Sequence, residues 1–216
     1  MSKPEASTPR ERYRAQVREE IKEHAWEQIA TAGASALSLN AIAKRMGMSG
    51  PALYRYFAGR DELITALIRD AYRSLADTFR ARAEAGTDLH GLAQALREWA
   101  LADPQRYFLV YGTPVPGYQA PDDTTRIASE IMAVILDACT AEEAPDAPVS
   151  DLEEHLHAHR AWAGQHPAPP SALRRALAFW TRLHGVLSLE LAGQFTGMRF
   201  DPARLYGAEA ESVAQT

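Results

Sequence analysis

A chain of 216 residues is long enough for one or two domains with a sizeable core. Its 46% hydrophobic and 24% charged residues are those of a soluble globular protein, and no run of about 18 apolar residues exists, so no membrane-spanning helix is expected. The net charge is −5, and the single cysteine, Cys139, excludes an internal disulfide and fits a reducing cytoplasm.

The charge is unevenly distributed. Residues 1–60 hold ten Lys/Arg and six Asp/Glu, a net of +4, and the remaining 156 residues carry a net of −9. A basic head on an acidic body favours contact with a polyanion through the head alone.

In chain order, residues 1–9 lie in a polar stretch without the apolar core of a signal peptide and are expected to form a disordered tail. Val17, Ile21, Ala25 and Ile29 recur every four residues and predict a first helix over about Pro9–Thr31, ended by Gly33. Arg10, Arg12, Arg14 and Arg18 lie near its start and read as a solvated charged face within reach of phosphates.

The stretch Leu37–Phe57, LSLNAIAKRMGMSGPALYRYF, predicts two short helices joined by a tight turn. Leu39, Ile42, Ala43 and Met46 share one helical face, and Gly47 follows where a helix ends in the left-handed conformation. Ser49 is the expected N-cap of the second helix, with Pro51 in its first turn, and Leu53 and Phe57 point back at the first. The residues left over suit a helix in the major groove of DNA. Gly50 and Ala52 are small enough to approach base edges, Tyr54 and Tyr56 carry hydroxyls, and Arg55 carries a charged fork. Lys44, Arg45 and Arg60 flank the unit.

A fourth helix is expected over about Arg60–Ala83, with Ile64, Leu67, Ile68, Ala71, Leu75 and Phe79 as its stripe. It is long enough to leave the head and enter the body, so its tilt would move the head. Further helices are expected over about Asp88–Ala102, Pro104–Tyr111 and Asp122–Thr140, with a Pro/Gly-rich loop at Gly112–Pro121. Another loop is expected at Ala144–Ser150, an eighth helix over Asp151–Ala163, and a ninth over Ser171–Phe195. The ninth is apolar on two faces, one through Leu173, Trp180, His184 and Leu187, the other through Phe179, Leu183, Val186 and Leu189. The second face predicts a partner helix from another copy. Asp201–Thr216 is expected as a C-terminal tail.

Within residues 10–63, IATAG (29–33), LSL (37–39), IAKRM (42–46), GMS (47–49), ALYRYF (52–57) and RDEL (60–63) resemble the N-terminal DNA-binding domain of the tetracycline-repressor-like (TetR) family of transcriptional regulators. Gly59 departs from a serine-type cap common there, and Tyr56 from a histidine. YFLVYGTPVPGY (107–118) with WTRLHG (180–185) resembles one C-terminal subgroup common among actinobacterial members.

The resemblance implies an all-α protein. A helix-turn-helix head at residues 10–60 would precede a ligand-binding and dimerisation domain at 61–200. It implies a homodimer through the eighth and ninth helices, a palindromic double-stranded DNA operator, most simply repression, and an unidentified small-molecule effector without a cofactor. With the geometry, it implies phosphate contacts from Ser38, Ser49, Tyr54, Tyr56 and Arg60, with Lys44 beside them, and base readout from Gly50, Ala52 and Arg55. Trp99, Tyr107, Phe108, Tyr111, Tyr118, Trp180 and His184 are the candidate effector-binding residues, an apolar set with polar tips.

An activator or a ligand-independent regulator with the same head is the alternative, and a helical enzyme or interaction module the more distant one. No glycine-rich phosphate loop after a strand, GxSxG or HExxH motif appears, and no enzyme is expected. His155 and His159 are spaced to share a helical face, but His157 points elsewhere, which falls short of the three or four convergent ligands of a metal site.

Overall fold

The computed structural model describes residues 8–112, 118, 121–141 and 149–215. Residues 1–7 of the expected tail, and most of the loops expected at 112–121 and 144–150, lie outside these residues. Among the described residues there are ten α-helices, two short 3-10 turns and no strand. No described helix is long and apolar enough to cross a membrane. The chain divides into two compact units, residues 1–68 with 113–120, and residues 69–112 with 121–216.

In the first unit, α1 (Pro9–Ala32) starts at Thr8. The Glu11 N–H donates to the Thr8 hydroxyl at 3.3 Å, and the Thr8 N–H donates to the Glu11 carboxylate at 2.8 Å, a reciprocal cap that fixes the helix start. Val17, Ile21, Ala25 and Ile29 are buried as their spacing requires. A 3-10 turn at Ala34–Ala36 leads to α2 (Leu39–Arg45), then α3 (Gly50–Leu53) and α4 (Arg60–Glu84). Leu39, Ile42, Leu53, Phe57, Leu63, Ile64 and Leu67 join the buried set, each contributing about 1.5–3 kcal/mol by leaving water. The missing serine at Gly59 is offset: the Ala58 N–H donates to the Glu62 carboxylate at 2.6 Å, one helical turn into α4.

The second unit contains the rest of α4, then α5 (Leu89–Ala102), α6 (Pro104–Tyr111), α7 (Asp122–Ala141), α8 (Asp151–Ala158), α9 (Pro170–Leu191) and α10 (Pro202–Ala214). The centre of this unit is α9, with α5, α7, α8 and α10 packed around it. Its core includes Leu75, Phe79, Leu92, Leu96, Tyr107, Ile131, Ile135, Leu173, Phe179, Leu183 and Leu187.

Three expectations are corrected here. Residues 201–216 are not a tail: Asp201 caps α10 by accepting the Ala203 N–H at 3.0 Å, and Tyr206, Ala210 and Val213 are buried. The eighth helix ends at Ala158 and gives way to a 3-10 turn at Arg160–Ala163. The ninth ends at Leu191, four residues early, because Gly193 takes a positive φ of 72°. The Gln194 N–H then donates to the Leu189 carbonyl and the Gly193 N–H to the Glu190 carbonyl, both at 2.9 Å, which is a Schellman stop.

α10 covers part of α9. Phe179, Leu183 and Val186, on the face expected to need a second copy, are buried within this chain, and α10 is one of the helices that pack on α9. Of that set only Leu189 remains exposed, at 47%.

The joint between α8 and α9 carries a pH dependence. Glu153 accepts the Ser150 N–H at 2.7 Å and the Ser150 hydroxyl at 2.8 Å, and Arg174 Nε donates to it at 2.9 Å. The backbone hydrogen bond from Ser150, then Arg174, pull its pKa down to about 2. A depressed carboxylate stabilises the fold above its unfolded pKa of about 4.3 and loses that contribution as pH falls toward 2. Glu153→Gln is therefore expected to melt below the wild type at pH 7, with the gap narrowing between pH 4.5 and pH 2. Parallel melting curves at both ends of that window would remove this assignment.

Candidate nucleic-acid interface and effector site

The head is built around a stopped helix. Gly47 takes φ +67°, the Met48 N–H donates to the Ala43 carbonyl at 2.9 Å and the Gly47 N–H to the Lys44 carbonyl at 3.2 Å. That Schellman stop turns the chain sharply before Ser49, whose hydroxyl accepts the Ala52 N–H at 3.4 Å and starts α3. Regular α3 is short, but its ladder continues in tightened form. The Tyr54 N–H donates to the Gly50 carbonyl at 3.1 Å and the Tyr56 N–H to the Leu53 carbonyl at 2.8 Å. Leu53 and Phe57 are fully buried and hold the turn from below, while Tyr54, 48% exposed, and Arg55 face solvent.

The other candidate contacts divide by what already occupies them. Ser38, Lys44 and Ser49 are exposed, and Gly50, Ala52, Tyr56 and Arg60 are half-buried. Ser38 accepts the Ala41 N–H at 3.3 Å. Like Ser49, it uses its oxygen for the cap and keeps its hydroxyl proton for an outside acceptor. At Gly50 an added Cβ would meet only Asn40 Oδ1 at 3.5 Å, so packing inside the chain does not require glycine there. Arg60 already donates to the Ala34 carbonyl at 3.0 Å and the Ser35 carbonyl at 3.4 Å, holding the 3-10 turn.

Three residues of α1 organise the head in ways the periodicity did not reveal. Gln28 brackets the start of α2, accepting the Ser38 N–H at 2.9 Å and donating to the Ser38 carbonyl at 3.4 Å. Arg14 Nη2 donates to the Arg55 carbonyl at 3.0 Å. Arg18 Nη1 donates to the Tyr56 carbonyl, its guanidinium lies 4.0 Å from the Phe57 ring centre, and Glu62 is 3.7 Å away. Both arginines thus satisfy carbonyls at the end of the α3 turn. The chain separations of 41 and 38 residues left no local signal for this.

In the second unit the structure brings together five of the seven candidate effector residues. Tyr107, Phe108 and Tyr111 on α6 meet Trp180 and His184 on α9, and Tyr72 of α4 joins them. The His184 ring lies 4.3 Å from both Tyr111 and Trp180 and 5.6 Å from Tyr107, centre to centre. Tyr107 Oη lies 3.0 Å from His184 Nδ1 and 2.8 Å from Ser188 Oγ, and donates to the His184 carbonyl at 3.2 Å. Burial drives the His184 pKa down to about 3, so the imidazole is neutral at pH 7, and burial raises the tyrosine pKa values. The other two residues make their contacts elsewhere. Trp99 Nε1 donates to Ser74 Oγ at 3.2 Å, and Tyr118, in the first unit, shares a 3.1 Å hydrogen bond with Thr65.

His155 and His159 stack at 4.3 Å, while His157 lies 3.4 Å from Arg160. Among the described residues no group of three or more His, Cys, Asp or Glu is disposed to hold a metal ion.

Comparisons with known proteins follow the same division. Residues 21–67 match the model of bacterial regulatory proteins of the tetR family, and residues 89–213 match that of the tetracyclin repressor-like C-terminal domain. HTH-type transcriptional regulators of Mycobacterium tuberculosis and Mycobacterium bovis are 36% identical over 215 residues, covering 91% of this chain and 90% of theirs. The crystal structure of SCO4313, a proposed regulatory protein, is 71% identical with a TM-score of 0.90, covering 97% of this chain and 100% of that one. A TetR/AcrR-family transcriptional regulator from Thermobifida fusca shares the fold at 18% identity, with a TM-score of 0.57 over 92% of this chain and 97% of that one.

Proposed function

This chain belongs to the tetR family of bacterial regulatory proteins, as a DNA-binding transcriptional regulator and not an enzyme, and from that premise we propose that it is a repressor. It acts in the cytoplasm as a homodimer on a palindromic operator and is released by a small molecule bound among the α6 and α9 aromatics. The observation that most supports this reading is the exposed Tyr54–Arg55 turn seated on buried Leu53 and Phe57.

In this reading Gly50 and Ala52 approach base edges and Arg55 reads one, while Ser38, Lys44, Ser49, Tyr54, Tyr56 and Arg60 hold phosphates. Arg60 does so only by sharing its donors with Ala34 and Ser35. Two heads on a two-fold axis engage half-sites about 34–36 Å apart, or otherwise matched to their spacing. The outward strip of α9, with Thr181, Gly185 and Leu189 exposed, and Leu152 of α8 form the dimer contact. Effector binding favours a state in which the heads are wrongly spaced, so operator affinity falls through differential affinity for two states.

The test is a titration of the DNA upstream of the chain's own gene, by fluorescence anisotropy over a range of salt, with sedimentation of the same sample. A dimer binding with a steep salt dependence is expected. A monomer indifferent to that DNA at low salt would end this reading, and reporter activation rather than silencing would replace repressor with activator. Arg55→Ala is expected to relax base preference by about 1–3 kcal/mol at one position. Lys44→Ala should weaken all sequences and lower the salt slope by about one, and Tyr54→Ala should weaken all sequences with the slope unchanged. If none of the three changes affinity at fixed salt, α3 is not the reading element.

A further inference from the structure

We propose that the effector is an uncharged, flat aromatic molecule carrying a hydrogen-bonding group, recognised by Tyr111 Oη and His184 Nε2 among the rings of Tyr72, Tyr107 and Trp180. This rests on the effector-responsive reading above and adds the chemical class of the ligand.

Both named atoms are buried and have no hydrogen-bond partner among the described residues. Buried polar groups are paired in the great majority of cases, and an unpaired one destabilises the fold. Here two such atoms sit on adjacent rings whose centres are 4.3 Å apart, one on α6 and one on α9. The Tyr107 hydroxyl beside them is satisfied. Tyr107 Oη engages Ser188 and both the ring and the carbonyl of His184, which fixes the imidazole and leaves Nε2 as its unmatched end. The imidazole is thus hydrogen-bonded at Nδ1 and unpaired at Nε2, beside an equally unpaired phenol.

The surroundings set the class. Tyr72 and Trp180 meet Tyr111 edge-on at 5.9 and 5.5 Å, and Trp180 tilts against His184 at 4.3 Å, so flat apolar faces surround the two polar atoms. No Lys, Arg, Asp or Glu among the described residues perturbs either ring: burial alone shifts His184, and burial with the neighbouring Tyr72 and Tyr107 shifts Tyr111. The imidazole and the phenol are themselves uncharged at neutral pH. A carboxylate or an ammonium brought here would be desolvated without a counter-ion, whereas a neutral amide or phenol would complete both hydrogen bonds.

The experiment uses the full chain and three probes of nearly equal shape: 2-naphthamide, 2-naphthoate and 2-naphthamidinium, measured by titration calorimetry. The amide is expected to bind at least about tenfold more tightly than either ion. Tyr111→Phe is expected to weaken the amide about five- to tenfold, the loss of one hydrogen bond. The same substitution should raise the melting temperature of the unliganded protein by about 2–4 °C, because it deletes an unsatisfied buried hydroxyl. That gain is the readout a merely structural hydroxyl cannot give. A fall in melting temperature would mean that a structural water already satisfies Tyr111, and would overturn the proposal. So would equal or tighter binding of either ion, or no binding of the amide. Anisotropy with the upstream DNA separates the two failures. If the wild type binds that DNA but not the amide, only the ligand class is lost; if it ignores the DNA, the regulator reading is lost whatever the amide does.

Discussion

Replacing Tyr206 with alanine is expected to destabilise the second unit by about 3–5 kcal/mol, the range for deleting a large aromatic from a core. Tyr206 is fully buried, and its hydroxyl donates to the Ala93 carbonyl at 2.7 Å, joining α10 to α5. The neighbouring Arg97–Glu190 pair, 2.6 Å apart with side chains 18% and 15% exposed, joins α5 to α9, and Arg97 lies 5.8 Å from the Tyr206 ring centre. That pair does not substitute for the aromatic. Desolvation offsets much of a buried ion pair, and Arg97 Nε and Glu190 Oε2 have no hydrogen-bond partner among the described residues. Calorimetric melting should place the alanine variant about 10 °C below the wild type, and Tyr206→Phe within about 1 kcal/mol of it. An alanine variant that melts with the wild type would show that α10 is dispensable.

Arg18→Ala is expected to lower DNA affinity, by up to about thirtyfold, through the α3 turn and not through a DNA contact. A hydrogen bond from a charged donor contributes about 1.5–3 kcal/mol and a cation over a ring about 0.5–2 kcal/mol. Arg18 makes both, to the Tyr56 carbonyl and the Phe57 ring, with its side chain 32% exposed. Partial exposure trims the sum to about 2 kcal/mol, roughly a thirtyfold shift in the ordering of the α3 turn. Binding requires the ordered turn, so apparent affinity falls by the factor its population loses, which reaches the thirtyfold limit only for a marginally ordered turn. Salt dependence decides between two roles. A positioning arginine displaces the plot of log affinity against log salt downward with its slope kept, whereas a phosphate contact lowers the slope by about one. Arg18→Lys keeps the charge and loses the planar fork, so it should recover little of the loss. Recovery by lysine together with a shallower slope would assign Arg18 to the phosphates instead.

These two residues mark the boundary of what could be read from sequence. The positions of α1 to α7 were legible because each carries its own apolar stripe and stop signal. Val17–Ile21–Ala25–Ile29, the Gly47 turn and the Ser49 cap are local facts. α10 carries such signals too, with Asp201 before Pro202 and Tyr206, Ala210 and Val213 at helical spacing, so the helix in place of the expected tail is itself a local fact. The end of α8 depended on His159 leaving the helical conformation, at φ −118° and ψ 37°, and the end of α9 on Gly193 adopting a positive φ, neither of which periodicity specifies.

What the sequence by itself determined is the all-helical class, the head with its exposed Tyr54–Arg55 turn, and the family. The class and the turn follow from residues within about one or two helical turns of each other, and the family from the order of short motifs over residues 29–63. Only the tertiary structure decided which arginines hold the α3 turn, which helix covers α9, and which aromatics of α4, α6 and α9 meet. Those are contacts between residues tens of positions apart, from Arg18 and Tyr56 to Tyr206 and Ala93. Helical periodicity fixes the face a side chain occupies, and the packing of whole helices fixes the neighbour it meets there.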